Sequence, residues 1–278
     1  MTSSQTDAML NHTVAERLAQ CIVSVIPEQD ALAKEVGRRL VLDVVGICLA
    51  ARNEPYVQAA LAAVEQDGPC TVLGVERGYG VEAAAFVNGI AAHGEDFDDT
   101  YEGGPVHAGA VVVPALLAAA QRHGLSGDML LRGIAGGVEV TCRLCSVAPM
   151  QVHKAGFHPT AIFGVMGTVA GLGAALQLSA AQIVNALGIA GSMAGGIIEY
   201  LADGSWTKRM HPGWAAQSAY RAVRLAQANF KGPTTVFEGK HGLFHGFANT
   251  SAGDFEAMLK GFGQTWIWTG IAFKPYAC

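Results

Sequence analysis

The sequence predicts an all-α fold on three observations. Long segments carry apolar residues at helical spacing, strand-like stretches are few and short, and small residues dominate, with 35 glycines and a hydrophobic fraction of 51% against 15% charged residues. With so little charge available for the surface, many small side chains must sit where helices touch or where subunits meet, so tight helix packing and a homodimer are expected. The 278 residues suffice for one large core, burying roughly three quarters of the surface that the unfolded chain exposes.

In residues 31–50, Leu32, Val36, Leu40 and Val44 form an i,i+4 ladder while Lys34, Glu35, Arg38 and Arg39 take the other faces. Beyond Asp43 the pattern is apolar all round, which sends this helix into the core. Similar periodicity predicts helices near 13–25, 55–66, 80–92, 108–122, 127–147, 159–176, 179–190 and 212–229. Ser126 and Ser179 suit helix starts, and Pro159 and Pro212 suit first turns, where a missing N–H costs nothing. Short strands are expected at 70–75 and 265–273. The second has no evident partner for its backbone groups. The stretch N-T-S-A-G-D (249–254) separates a helical unit, 1–255, from a tail, 256–278.

Composition also excludes functions. A net charge of −5 gives no electrostatic footprint for a polyanion, so no nucleic-acid partner is expected. The six cysteines lack framework spacing and the N-terminus M-T-S-S-Q-T-D-A lacks the regions of a signal peptide, which points to the cytoplasm. Cys142-x-x-Cys145 falls in a helical pattern without a second pair and reads as core. No Asp, Glu, Lys or Arg occurs from Ala155 to Ile198, yet a membrane hairpin is rejected. The stretch is rich in Gly and Ala, is broken by Gln177, Ser179, Gln182 and Asn185, and has no flanking basic clusters. Its Gly167, Gly171 and Ala175 make a flat stripe that another helix can approach closely.

Three clusters stand out. His93 to His107, H-G-E-D-F-D-D-T-Y-E-G-G-P-V-H, concentrates Glu95, Asp96, Asp98 and Asp99 between two predicted helices. Buried acids of this density are costly unless they serve a site, although Asp98, Asp99 and Thr100 also fit caps and turns, and His107 fits a surface residue. Lys154-Ala-Gly-Phe-His158-Pro-Thr160 places an imidazole at the start of the uncharged run. Asp203-Gly-Ser-Trp-Thr-Lys208-Arg209-Met-His211-Pro-Gly-Trp214 sets three potential cations between two tryptophans, so a partly buried cationic turn would need an anion.

These segments, with V-H-A-G-A-V-V-V-P-A-L-L-A, A-G-F-H-P-T, F-E-G-K-H-G-L and F-K-P-Y-A-C in order along nearly the whole chain, resemble the MmgE/PrpD family. That family includes 2-methylcitrate dehydratase, cis-aconitate decarboxylase and iminodisuccinate epimerase. The resemblance implies a large all-helical domain followed by a smaller α/β lid domain, which 256–278 would begin, so that the chain is similar to a truncated member. It also implies no cofactor, a small di- or tricarboxylate as substrate, and catalytic residues at Asp96, His107, His158, Lys208 and Lys274, with Thr100 as the family's threonine. Fixed cations suit a carbanion beside a carboxylate, and a histidine oriented by an aspartate suits the proton transfer. Arg209 and His211 are added as substrate-binding candidates. Glu102-Gly103-Gly104 departs from family members of known activity and bears on which carboxylate is met.

The expected function is therefore a lyase of the 2-methylcitrate dehydratase type, with decarboxylation or epimerisation as alternatives. Two competing readings are a metal-dependent hydrolase using His93, Asp96, Asp99 and His107, and a non-catalytic helical scaffold.

Overall fold

The computed structural model describes residues 12–25, 31–65 and 67–277. The first eight residues and Cys278, on which the expectations about targeting and one cysteine rest, lie outside this set. Twelve α-helices make up the described fold. They are α1 (Val14–Val25), α2 (Ala31–Ala51), α3 (Pro55–Ala62), α4 (Val81–His93), α5 (Gly109–His123), α6 (Gly127–Val147), α7 (Gln151–Lys154), α8 (Pro159–Ala175), α9 (Ala180–Met193), α10 (Thr207–Gln227), α11 (Leu243–Ala248) and α12 (Phe255–Leu259).

The uncharged run becomes α8, in which every residue except Ala174 is buried. A helix with no polar face belongs at the centre, and α6, α10, α5 and α9 pack around it. The glycine stripe sets the closest crossing. A Cβ on Gly167 would lie 2.4 Å from the Gly137 carbonyl, and one on Gly171 2.5 Å from that of Gly133, so α6 and α8 meet backbone to backbone. Gly89 and Gly213 do the same for α4 and α10, with only 2.6 Å from an added Cβ to the opposite Cα. Small residues thus serve close packing within one chain.

Helix starts follow local chemistry. Ser126 accepts from the Met129 N–H, Ser179 forms a capping box with Gln182, and Pro159 follows the N-cap His158. Pro212 differs from expectation. The helix begins at Thr207, so the proline lies inside α10 and leaves the Lys208 carbonyl without its i+4 donor. So near the helix start this loss is confined to one bond. The packing of Gly213, Ala215, Ala216 and Ala219 into the core holds the turn.

The strands are shorter than expected. β1 (Cys70–Thr71) pairs with β2 (Gly78–Tyr79). In 265–273, Ile267–Gly270 is a 3₁₀ turn and only Ile271–Ala272 (β4) is a strand. It is not unpaired, because Thr100–Tyr101 (β3) of the acidic segment pairs with it antiparallel, Thr100 opposite Ala272. The tail is also anchored below. Arg143, in α6, donates to the carbonyls of Met258, Lys260 and Thr265 and to Glu139, whose second oxygen accepts from the Trp268 N–H. The Trp268 side chain is fully buried.

Cys142 and Cys145 are core residues, and burial pushes the Cys145 thiol up to about 12. Among the described residues no helix is long and apolar enough to cross a membrane.

Candidate active site

Four chain segments that are distant in sequence meet at one end of α8. α4 ends at His93, and the loop after it carries Asp96, Asp98 and Asp99 before β3. His107 precedes α5, His158 caps α8, and Lys208, Arg209 and His211 lie in the first turns of α10. A cavity of about 490 Å³ opens between them, lined by Asp96, His107, His158, Tyr200, Lys208 and Arg209 among others. Asp96 takes a left-handed backbone (φ 56°), a conformation that aspartate tolerates better than most residues. In that conformation it forms an ion pair with Lys208, 112 residues away. Lys274 donates to the Asp96 carbonyl at 3.0 Å and approaches Asp98 Oδ1 at 3.7 Å, with its side chain only 4% exposed. Two cations placed at a helix start and on a buried tail run against the helix dipole and against desolvation, and Asp96 and Asp98 are the anions that offset them.

The acids divide by environment. Burial alone would raise Asp98, but His93, through its charge and a 2.6 Å hydrogen bond, together with His107 and Lys274, holds this carboxyl below its usual range. Burial pushes Asp99 well above that range, and the Asp98 charge adds to the effect. Asp99 does act as a cap, since its Oδ1 accepts from the Gly109 N–H at 2.9 Å. Asp43, on α2, is raised to about 6 by burial and by Asp98.

The histidines are held neutral. Burial pushes His107 down to about 4, although Asp98 pulls against it, and pushes His211 to about 4 and His158 well below its usual value. His107 is not a surface residue: its Nδ1 lies 2.8 Å from the Asp99 carbonyl and its N–H meets Thr160 Oγ1 at 3.2 Å. Burial thus keeps all three from titrating near neutrality. A stability consequence follows. Between pH 6.5 and about 4 the unfolded chain takes up a proton that buried His107 refuses, so stability falls as pH falls through this window. Asp43 acts oppositely, keeping a proton up to about 6, so its contribution is lost as pH rises. Urea unfolding at pH 7 and 4.5 isolates the histidine, since His107→Asn should remove about 2 kcal/mol of the acid-induced loss. An unchanged loss would show that His107 is not held neutral.

The expected residues are not all in the cavity. Thr100 is half-buried with its backbone in the β3–β4 pair, and Thr160 is the threonine that touches His107. His211 lies behind the cavity, where its Nδ1 is 3.1 Å from that of His158, so one imidazole donates and the other accepts. Arg209 is tethered to the Gly94 carbonyl at 2.8 Å and lies over the Tyr56 ring at 4.6 Å, which fixes its guanidinium at the rim. Tyr200 and His153 were not anticipated as site members, and of the His93–Asp98 pair only His93 was, as a ligand in the metal reading. The signal for the pair was present in the H-x-x-x-x-D spacing of the acidic motif, but turn chemistry explained Asp98 equally well.

A metal reading fares worse on charge. His93, Asp96 and Asp98 do bring ligand atoms within 4.8 Å of one another, but Lys208 and Lys274 already hold the acids, and Asp99 is turned to Gly109. A second cavity, of about 450 Å³ beside Lys240 and His241, has both of these side chains exposed and lacks a buried charge.

The all-helical architecture defines the class, and comparison with known proteins agrees. Residues 16–256 match the MmgE/PrpD N-terminal domain, and the chain belongs to the MmgE/PrpD family. It is 28% identical over 292 residues to a cis-aconitate decarboxylase-like protein of Aspergillus oryzae, covering 98% of this chain and 60% of that protein. It is 28% identical over 237 residues to the cis-aconitate decarboxylase of Aspergillus terreus, covering 81% and 48%. It is 34% identical over 203 residues to that of Mus musculus, covering 69% and 40%. The chain spans about half the length of the curated relatives it matches.

Proposed function

We propose that this chain carries the cavity of an acid–base decarboxylase acting on a small tricarboxylate of the cis-aconitate type. The observation that carries the reading is the convergence of Lys208, Arg209, His107 and His158 on one cavity, with Lys274 buried against Asp96 and Asp98. Relatives named as cis-aconitate decarboxylases favour decarboxylation over the 2-methylcitrate dehydration first expected.

In the proposed step the cations neutralise the substrate carboxylates, and Asp96 keeps the Lys208 ammonium at the cavity wall. The C–CO₂ bond breaks, its electron pair moves into the carbon framework beside a remaining carboxylate, and an imidazolium of His107 or His158 protonates carbon. One proton is consumed for each CO₂ released. Because both imidazoles are neutral in the empty pocket, the proton must be acquired as the polyanion binds. Incubation with cis-aconitate, followed by CO₂ release and NMR of the product, tests the reading, with 2-methylcitrate as comparison. Turnover of cis-aconitate is expected. Dehydration of 2-methylcitrate without decarboxylation of cis-aconitate would replace the reading with a dehydratase, and inactivity on both would remove it.

A homodimer belongs to the same proposal. Ile197, Leu201, Trp206, Met210 and Trp214 are exposed beside the cavity, an apolar surface that a second copy would cover. Light scattering at micromolar concentration should give twice the chain mass, and a monomer mass would refute it.

A further inference from the structure

Asp98 serves as an ion partner for buried Lys274, but the His93 imidazole paired with it has no such task. The His93 and Asp98 side chains are fully buried, at 0% exposure each, and His93 Nδ1 lies 2.6 Å from Asp98 Oδ2. The other ring nitrogen, Nε2, is buried and has no hydrogen-bond partner among the described residues. A buried imidazole nitrogen left without a partner is costly, so its retention needs a reason. The His93 ring packs against both candidate proton donors, with ring centroids 5.1 Å from His107 and 5.5 Å from His158. At those separations, ring rotation brings imidazole nitrogens to about 3 Å of each other, which is hydrogen-bond distance.

We propose that His93 and Asp98 form a buried proton-holding pair that supplies His107 and His158 during turnover. The inference rests on the decarboxylase reading, which requires one proton per cycle. A seated tricarboxylate covers the solvent side of His107 and His158, so the proton must come from behind them. It leaves His93 Nε2 for the neighbouring imidazole, which becomes the imidazolium that protonates carbon. The Asp98 carboxylate stabilises the cationic ring before transfer and fixes Nδ1 as the donor afterwards. The next polyanion draws a proton from solvent into the pair as it binds. The other charged or titratable groups facing the pair are Lys274 from the tail, Asp43 from α2, Asp96 and Asp99 from the loop, and Lys208 and His211 from α10. Asp43, raised to about 6 by burial, titrates inside the tested range, but it is the same in every variant, so the difference between variants reads the pair. His93 and Asp98 are thus positioning residues, acting through the two histidines that line the cavity.

The test follows kcat for cis-aconitate from pH 5.5 to 8 in wild type, His93→Gln and Asp98→Asn, with Asp98→Glu as the conservative variant. Fold is checked by circular dichroism, and affinity is checked with tricarballylate, a saturated tricarboxylate that cannot react. The expected result is a kcat near neutral pH that falls about a hundredfold in His93→Gln, with tricarballylate affinity held within about twofold. Its kcat should now drop about tenfold per pH unit, since solvent must supply the proton, while wild type stays nearly flat. Asp98→Asn should show the same slope and Asp98→Glu should restore part of the flat profile. In wild type, the ¹⁵N ring signals of His93 should move to imidazolium positions when tricarballylate binds. A kcat lowered equally at every pH, an unchanged kcat, or unmoved His93 signals in an active wild type would overturn the inference alone. A wild type that neither binds tricarballylate nor turns over cis-aconitate would overturn the decarboxylase reading, and the inference with it. If His93→Gln does not fold, the Asp98 variants and the wild-type ¹⁵N signals carry the test.

Discussion

If the chain is the proposed decarboxylase, changing His107 or Lys208 to Ala should lower turnover of the tricarboxylate by at least about a hundredfold, the scale for losing a general acid–base or charge-stabilising group. The two losses differ in kind. His107→Ala leaves the cations in place, so substrate affinity should hold while kcat falls. Lys208→Ala removes a cation and also leaves Asp96 facing the pocket without its ion-pair partner. A carboxylate so exposed repels the incoming polyanion, and KM should rise along with the loss in kcat. Steady-state kinetics separate the two. A loss below about tenfold in either variant would move the chemistry elsewhere. Full activity in His158→Ala would confine that residue to its structural duties, which are real: its N–H bonds the Gly196 carbonyl at 2.8 Å and its ring meets His211.

Arg143→Ala should cost about 3–5 kcal/mol, the usual penalty for stranding one member of a buried ion pair. Glu139 would keep its place with its side chain fully buried and its main cation gone. Burial already pushes this carboxyl up, and Arg143 is the chief force against that. The guanidinium also satisfies three main-chain carbonyls between residues 258 and 265, so an apolar replacement of the pair, often harmless elsewhere, should not rescue this site. Urea unfolding of wild type, Arg143→Ala and the double variant Glu139→Gln/Arg143→Met measures this. The double variant should remain destabilised by at least about 2 kcal/mol. Wild-type stability in the double variant would show that the carbonyl bonds contribute little. The same anchor holds β4 against β3 and thereby holds Lys274 over Asp96 and Asp98, so Arg143→Ala should also weaken tricarboxylate binding.

Local sequence determined much of this protein. Helical periodicity, the caps at Ser126 and Ser179 and the uncharged run of α8 depend on neighbours within four residues, and all were legible as helix. The clusters that hold Asp96, His107, His158 and Lys208 could be picked out because acids, imidazoles and cations beside apolar runs contradict ordinary surface and core chemistry, while the choice of residue within each cluster came from the family resemblance. Where reading failed, distant contacts had decided. Pro212 stands inside a helix because core packing outweighs one lost backbone bond, and the tail's strand is paired because its partner lies about 170 residues earlier in the acidic loop. The roles of Asp98 and Asp99, identical residues side by side, could not be told apart from sequence. One carboxyl meets His93 and is held below its usual range while the other meets a helix start and is pushed well above it by burial. Secondary structure answers to local spacing and propensity, but a charge state answers to desolvation and to whichever charges lie within a few ångströms, and only the folded chain supplies those neighbours.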